Sequence, residues 1–126
     1  GIGFAVALAL REARLLGRLG AALFGVAMAS MAGVGVFPQG HSLHFSVASG
    51  LYVLFSVATI VYAGGLVIDG DRRAGALSAG LGVVNLGIWI GWVGAVGIEA
   101  SGLAIPEILG AGCVGAWALW QARELG

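Results

Sequence analysis

The sequence predicts an all-α protein, a polytopic bundle of transmembrane helices with four full spans and a partial span at its N-terminus. Hydrophobic residues make up 60% of the 126-residue chain and charged residues only 10%, with a mean hydropathy of +1.02. Soluble domains carry about 25% charged residues. A chain this apolar has too few polar side chains to cover a surface in water, so its helices are expected to face lipid.

The first element, residues 1–10, is apolar but too short to cross a bilayer. Its charged residues, Arg11, Glu12 and Arg14, follow the apolar stretch, whereas a secretory signal carries positive charge before it. We therefore expect the chain to begin partway through a transmembrane helix. The alternative is a short helix that lies in the membrane interface.

Four longer apolar runs follow, at residues 15–37, 43–68, 74–98 and 103–122. Each run holds about 20 residues or more, which at ~1.5 Å per residue is enough to cross a hydrocarbon core of about 30 Å. None alternates between polar and apolar residues as a transmembrane strand would. Pro38 and Gly40 end the first run, because proline lacks an amide donor and glycine permits a turn. We treat residues 1–126 as a single transmembrane bundle.

The arginines fall on one side of this alternating topology. Residues 11–18 and 69–73 and the C-terminal tail contain all six, whereas residues 38–44 and 99–107 contain none. Loops rich in arginine and lysine face the cytoplasm. The sequence therefore predicts a multi-pass protein of the cell membrane, with residues 11–18, 69–73 and the C-terminus cytoplasmic and residues 38–44 and 99–107 external.

Small residues recur at helical spacing on the spans. Gly25 and Gly33 share a face of the first full span, and Gly87 and Gly91 form a G-x-x-x-G pair on the third. Such stripes most often pack helices within one bundle, and the alternative is the interface of a homo-oligomer. Asn85 is the only carboxamide deep inside a span, where an uncharged amide usually bridges helices.

The external turn from Phe37 to His44 is the most distinctive polar segment. His41 and His44 are three residues apart, and imidazoles at this spacing on a helix can bind one metal ion together. No third ligand of similar quality follows, although Glu99 and Glu107 lie on the same predicted side. We favour the structural interpretation, in which His44 hydrogen-bonds the start of the helix and His41 is solvated.

Hydroxyl groups follow this turn along the second span, on one helical face, at Ser42, Ser46, Ser49 and Ser56. They would line either a polar path or a cleft for a lipid headgroup, but serines in lipid more often bond to helix carbonyls. No span carries a charged residue at its midplane, which argues against an ion-driven pump. Catalytic and cofactor motifs are absent, as is a basic patch for nucleic acid, so we predict no cofactor and no nucleic-acid partner, and we favour a non-enzymatic protein while an enzyme stays open.

The segment Gly33-Val34-Gly35-Val36-Phe37-Pro38, followed by His44 and a long apolar helix, resembles a prokaryotic six-helix membrane family catalogued as domain of unknown function 998. In that family one span ends in G-x-F-P and a histidine opens the next, which carries over to Gly35, Phe37, Pro38 and His44. The resemblance implies that the chain corresponds to the end of the second helix and to helices three to six, with no known activity. Eukaryotic Frag1/DRAM/Sfk1-type proteins, linked to lipid handling, are a second resemblance.

These observations favour an integral membrane protein that binds lipid or a membrane partner through the external turn. The candidate ligand-binding residues are Phe37, Pro38, His41, His44, Ser46 and Ser49. One alternative is an intramembrane enzyme or metal-binding protein that acts on lipid, and another is a small-molecule channel or carrier along the serine face. The expected partners are membrane lipids and either a second copy of the chain or N-terminal helices outside this sequence.

Overall fold

The computed structural model describes residues 1–97 and 103–125, and these form five α-helices without a strand. The helices are α1 (Ile2–Arg11), α2 (Leu15–Val36), α3 (His44–Ile68), α4 (Arg72–Val96) and α5 (Ala104–Leu125). The prediction of an all-α fold is therefore confirmed. Glu99, one of the two acidic residues considered as a metal ligand, lies outside the described residues.

Short turns separate the helices where the sequence lacks helix-forming residues. Gly40 and Gly70 adopt positive φ angles of 97° and 94° in the turns that follow α2 and α3, a conformation that glycine adopts without steric cost. Asp71 begins α4, because its carboxylate accepts a hydrogen bond of 2.9 Å from the backbone amide of Ala74. The helix therefore starts two residues before the apolar run that predicted it.

Three helices of the described chain, α2, α3 and α4, are long and apolar enough to cross a membrane. These helices support the prediction of a membrane-embedded protein. Four full spans were expected, and α5 has the required length of 22 residues. It is less apolar than the others because polar residues, among them Glu107 and Gln121, interrupt it. The first ten residues form the short apolar helix α1.

An aromatic cluster joins α2, α3 and α5 at the centre of the bundle. Trp117 of α5 is fully buried, and its ring centroid lies 4.9 Å from that of Phe24 and 5.5 Å from that of Tyr62. Phe55 adds an edge-on contact at 6.2 Å. In lipid, close packing rather than exclusion from water holds helices together, and aromatic pairs of this kind contribute about 0.5–1.5 kcal/mol each.

Glycines let α2 and α3 approach until their backbones touch. A Cβ atom on Gly20 would lie 2.6 Å from the backbone nitrogen of Tyr62, and one on Gly65 would lie 2.8 Å from that of Gly17. These distances are too short for any side chain. The crossing of α2 and α3 therefore depends on glycine at both contact points, Gly20 and Gly65. Other membrane helix pairs likewise pack through small residues.

The four glycines selected from the sequence fall into two groups. A Cβ on Gly25 would contact Ala5 of α1 at 3.3 Å, and one on Gly33 would contact Val47 of α3 at 3.1 Å. Both glycines therefore lie between helices. Gly87 and Gly91, which we expected to pack in the same way, instead have open space beside them, with no atom within 4 Å. Their face of α4 is turned away from the other described helices.

All six arginines lie at one end of the bundle, which we call the arginine end. Arg14, the residue before α2, forms an ion pair with Asp69 after α3, with 2.7 Å between Nε and Oδ1. Arg11 donates to the backbone carbonyl of Glu124, near the end of α5. These contacts bring together ends of helices that are far apart in sequence. The opposite end carries residues 37–43, and we call it the histidine end.

Candidate functional site

The turn at the histidine end is closed by His44. Its Nδ1 atom lies 2.7 Å from the backbone carbonyl oxygen of Phe37, the residue that follows α2. Because a carbonyl can only accept, the ring nitrogen donates, which fixes the Nδ1–H tautomer. The backbone amide of His41 donates to the carbonyl of Pro38 at 3.0 Å, so the intervening chain forms a tight turn. His44 thus ties the end of α2 to the start of α3.

His41 is exposed and held in the opposite tautomer. Its Nδ1 accepts a hydrogen bond of 3.1 Å from the backbone amide of Leu43, and its ring lies 4.9 Å from that of Phe37. A neutral imidazole that accepts at Nδ1 carries its proton on Nε2. His41 therefore presents an N–H donor at the surface of the turn, while His44 uses its own donor internally.

The two histidines do not form a metal site with other residues that the structure describes. No group of three or more His, Cys, Asp or Glu side chains in these parts of the chain is arranged to hold an ion. Glu107 lies in the first turn of α5, where its backbone carbonyl accepts a hydrogen bond of 3.0 Å from the Tyr52 hydroxyl.

A cleft of about 180 Å³ opens between α3 and α4 directly beneath the turn. Its lining residues are Phe45, Ser49, Tyr52, Val53, Asn85, Leu86, Trp89 and Val93. The surface that they present is apolar. A cavity of roughly 150 Å³ holds a molecule the size of benzene, so this cleft has room for part of a hydrocarbon chain.

Asn85 forms the floor of the cleft and is completely buried. Its Nδ2 donates to the backbone carbonyl of Tyr52 at 3.0 Å and to the Ser56 hydroxyl at 2.8 Å. The Ser56 hydroxyl in turn donates to the same Tyr52 carbonyl at 3.1 Å. The amide therefore links α4 to α3, and the three groups form a closed network at the bottom of the cleft.

Gly110 of α5 closes the floor from the other side. A Cβ atom at this position would lie 2.8 Å from the Asn85 Oδ1 and 2.7 Å from the Tyr52 ring. Oδ1 has no hydrogen-bond partner among the described residues. Gly110 could not be singled out from the sequence, since Gly112 and Gly115 on the same helix have similar neighbours in sequence but open space around them.

The indole of Trp89 forms one wall of the cleft. Its ring lies 4.8 Å from that of Tyr52, with an angle of 39° between the planes. Its Nε1 is buried and has no acceptor within the described ranges. Through its ring Tyr52 contacts α4, and through its hydroxyl it contacts α5. Tyr52 therefore contacts both the Trp89 wall of the cleft and helix α5, which closes its floor.

The serines predicted to share one face of α3 have separate environments. Ser46 is exposed and outside the cleft, whereas Ser49 lines it. The Ser49 hydroxyl turns back to its own helix and donates to the carbonyl of Phe45 at 2.7 Å. Ser56 belongs to the buried network at the floor. These three hydroxyls therefore do not form one continuous polar surface.

Three further hydrogen bonds lie nearer the arginine end and did not emerge from the sequence. Glu12 is only 8% exposed, and its carboxylate accepts a hydrogen bond of 2.5 Å from the Tyr62 hydroxyl. Ser78 of α4 accepts from Trp117 Nε1 at 3.0 Å and from Gln121 Nε2 at 3.3 Å. Only the three-dimensional packing shows these pairs, since each joins residues at least 39 positions apart.

Comparison with known proteins identifies a family. The family model described as "Protein of unknown function (DUF998)" matches residues 1–124, nearly the whole chain. No curated protein and no solved structure matches the chain.

Proposed function

The chain belongs to the DUF998 family of proteins of unknown function, and we propose that it is a non-enzymatic integral membrane protein that binds a lipid at its histidine end. In this proposal one hydrocarbon chain of the lipid occupies the cleft between α3 and α4, and the headgroup contacts the turn before α3. We place the histidine end on the external side of the cell membrane, because all six arginines are at the other end.

The position of the cleft directly below the turn is the observation that carries this proposal. Phe45, the first residue of the cleft, follows His44, which closes the turn. A molecule in the cleft would therefore have its outer end beside the exposed residues Gln39, His41 and Ser42. The free Nε2–H of His41 is a suitable donor for an ester or phosphate oxygen of a headgroup.

The depth of the cleft also suits a lipid. From Phe45 to Tyr52 helix α3 rises about 10 Å, and from Asn85 to Val93 helix α4 rises about 12 Å, at ~1.5 Å per residue. Half of a hydrocarbon core of about 30 Å is roughly 15 Å. The cleft would therefore extend through most of one leaflet and end at the Asn85 network.

The chemistry of the lining favours binding over catalysis. The eight lining residues include no carboxylate, amine or imidazole that would act as an acid or a base on a bound ester. Asn85 and Ser56 are engaged with each other and with the backbone of Tyr52. The lipid would therefore be held by apolar contacts along its chain and by hydrogen bonds at its headgroup.

A matched pair of variants tests the proposal. Ser49→Phe fills the cleft, whereas Ser46→Phe adds the same side chain on an exposed part of the same helix, outside the cleft. After extraction in mild detergent, the lipid that remains bound to each purified protein is counted by native mass spectrometry. We expect Ser49→Phe to lose bound lipid and Ser46→Phe to retain it. Equal lipid retention by both variants and the unmodified protein would refute the proposal.

A further inference from the structure

A second groove, of about 490 Å³, runs along the outer surface of α3 and α4 at the arginine end. Ile60, Gly64 and Val67 line it at helical spacing on α3, and Ala76 lines it on α4. Leu16 of α2 forms its far side. Small residues and larger apolar side chains both line it, and it is a shallow, open depression on the surface of the bundle.

Arg72 stands at the mouth of this groove, at the first residue of α4. It is exposed, and no carboxylate of the described chain lies within 4.0 Å of its guanidinium group. The two neighbouring aspartates have other partners. Asp69 pairs with Arg14, and Asp71 accepts from the backbone amide of Ala74. Within the described ranges, neither aspartate therefore neutralises the guanidinium of Arg72.

We infer that this groove binds an anionic membrane lipid, with one acyl chain along the groove and the headgroup phosphate on Arg72. The planar guanidinium matches two phosphate oxygens at once. From Ile60 to Ile68 helix α3 rises about 12 Å, which places the apolar part of the groove within one leaflet, whose hydrocarbon depth is roughly 15 Å. The positive charge lies at the end of the groove, where a headgroup would be.

The charge of Arg72 favours an anionic lipid over a second copy of the chain. Ile60 and Val67 line the groove and are 39% and 48% exposed, so they offer apolar contacts to an acyl chain, and a purely apolar helix face would leave the positive charge of Arg72 without a counter-charge. An arginine at the mouth adds selectivity for an anion. Because the groove lies at the opposite end of the bundle from the cleft, the inference does not depend on the proposed function.

Arg72 and Arg73 provide a matched comparison. Each substitution, Arg72→Gln and Arg73→Gln, removes one positive charge from the same turn, but only Arg72 lines the groove. Each protein is reconstituted in phosphatidylcholine membranes with phosphatidylglycerol as the anionic probe, then extracted, and the bound phosphatidylglycerol is measured by native mass spectrometry. We expect about fivefold weaker binding for Arg72→Gln and little change for Arg73→Gln. Equal losses would indicate a diffuse electrostatic attraction and would overturn the inference, as would no loss in either variant.

A second pair of variants tests the apolar part of the groove with the charge intact. Ala76→Phe fills the groove, and Leu77→Phe places the same ring on the adjacent exposed position outside it. Only Ala76→Phe should release phosphatidylglycerol, with the mass of the protein–detergent complex unchanged. If Ala76→Phe instead converts a dimer into a monomer, the groove is an interface between copies and the lipid assignment is wrong.

Discussion

The Nδ2 atom of Asn85 lies 2.8 Å from the Oγ atom of Ser56, and both side chains are completely buried. This hydrogen bond joins α4 to α3 at the bottom of the cleft, where both groups are shielded from solvent. The same amide also binds the carbonyl of Tyr52. The pair therefore sets the depth of the cleft and couples its two walls.

We predict that Asn85 and Ser56 are energetically coupled. Hydrogen bonds between membrane helices contribute about 0.6 kcal/mol on average and up to about 1.7 kcal/mol, and Asn85→Ala removes two bonds, so it should destabilise the protein by about 1–2 kcal/mol. Ser56→Ala should cost less. Reversible unfolding in mixed micelles gives the free energies for a double-mutant cycle. Strict additivity of the two substitutions would contradict the coupling.

Gly110→Ala should destabilise the bundle, because its methyl group would lie 2.8 Å from the Asn85 Oδ1 and 2.7 Å from the Tyr52 ring. Overpacking of this kind costs about 1–3 kcal/mol. Gly112→Ala is the control, since the structure shows nothing within 4 Å of that position and alanine favours the helix. Thermal unfolding of both variants in the same detergent makes the comparison. Equal melting temperatures would show that α5 does not pack as described.

The hydroxyls of Tyr62 and Tyr52 have different acceptors, so we predict that they contribute unequally to stability. Tyr62 donates to the carboxylate of Glu12 at 2.5 Å, whereas Tyr52 donates to a backbone carbonyl at 3.0 Å. Bonds to charged groups contribute about 1.5–3 kcal/mol and neutral ones about 0.5–1.5 kcal/mol. Tyr62→Phe should therefore cost more stability than Tyr52→Phe in an unfolding titration. The reverse order would mean that Glu12 is not held by Tyr62.

The proposed orientation is tested by labelling in intact cells. With Cys113 replaced by alanine, Gln39→Cys places a thiol in the exposed turn at the histidine end, and Glu124→Cys places one at the arginine end. An impermeant maleimide added outside should react with the first variant only. The second should react after the membrane is made permeable. Labelling of Glu124→Cys in intact cells would show that the arginine end is external and would contradict the proposed orientation.

The class of fold could be predicted from the sequence because it depends on local properties of the chain. Long apolar runs, the break at Pro38 and Gly40, and the arginines between spans are all visible in the one-dimensional pattern. Helix α5 differs most from the predicted apolar span, because Glu107 and Gln121 lower its hydropathy without shortening it. The family was recognised from the Phe37-Pro38 ending and His44, and the match over residues 1–124 confirms it.

The details of the site could be predicted only in part. The sequence indicated His44 and Asn85 because polar groups are rare in apolar runs, and each has a partner that its chemistry suggests. It could not show which small residues touch another helix. Gly110 meets Asn85 while Gly87 and Gly91 face open space, and only the rotation of each helix about its axis determines this difference.

Photochemical cross-linking of a bound lipid tests the central proposal most directly. Phosphatidylcholine, which lacks the net negative charge that the groove at the arginine end would select, carries a diazirine in one acyl chain and is incorporated into membranes containing the protein, and the modified residues are mapped by mass spectrometry after irradiation. We predict that adducts concentrate on residues 45–53 of α3 and 85–93 of α4, and that Ser49→Phe removes them. Adducts spread equally over outward-facing positions such as Val57, Val83 and Leu119, and unaffected by Ser49→Phe, would contradict the proposal.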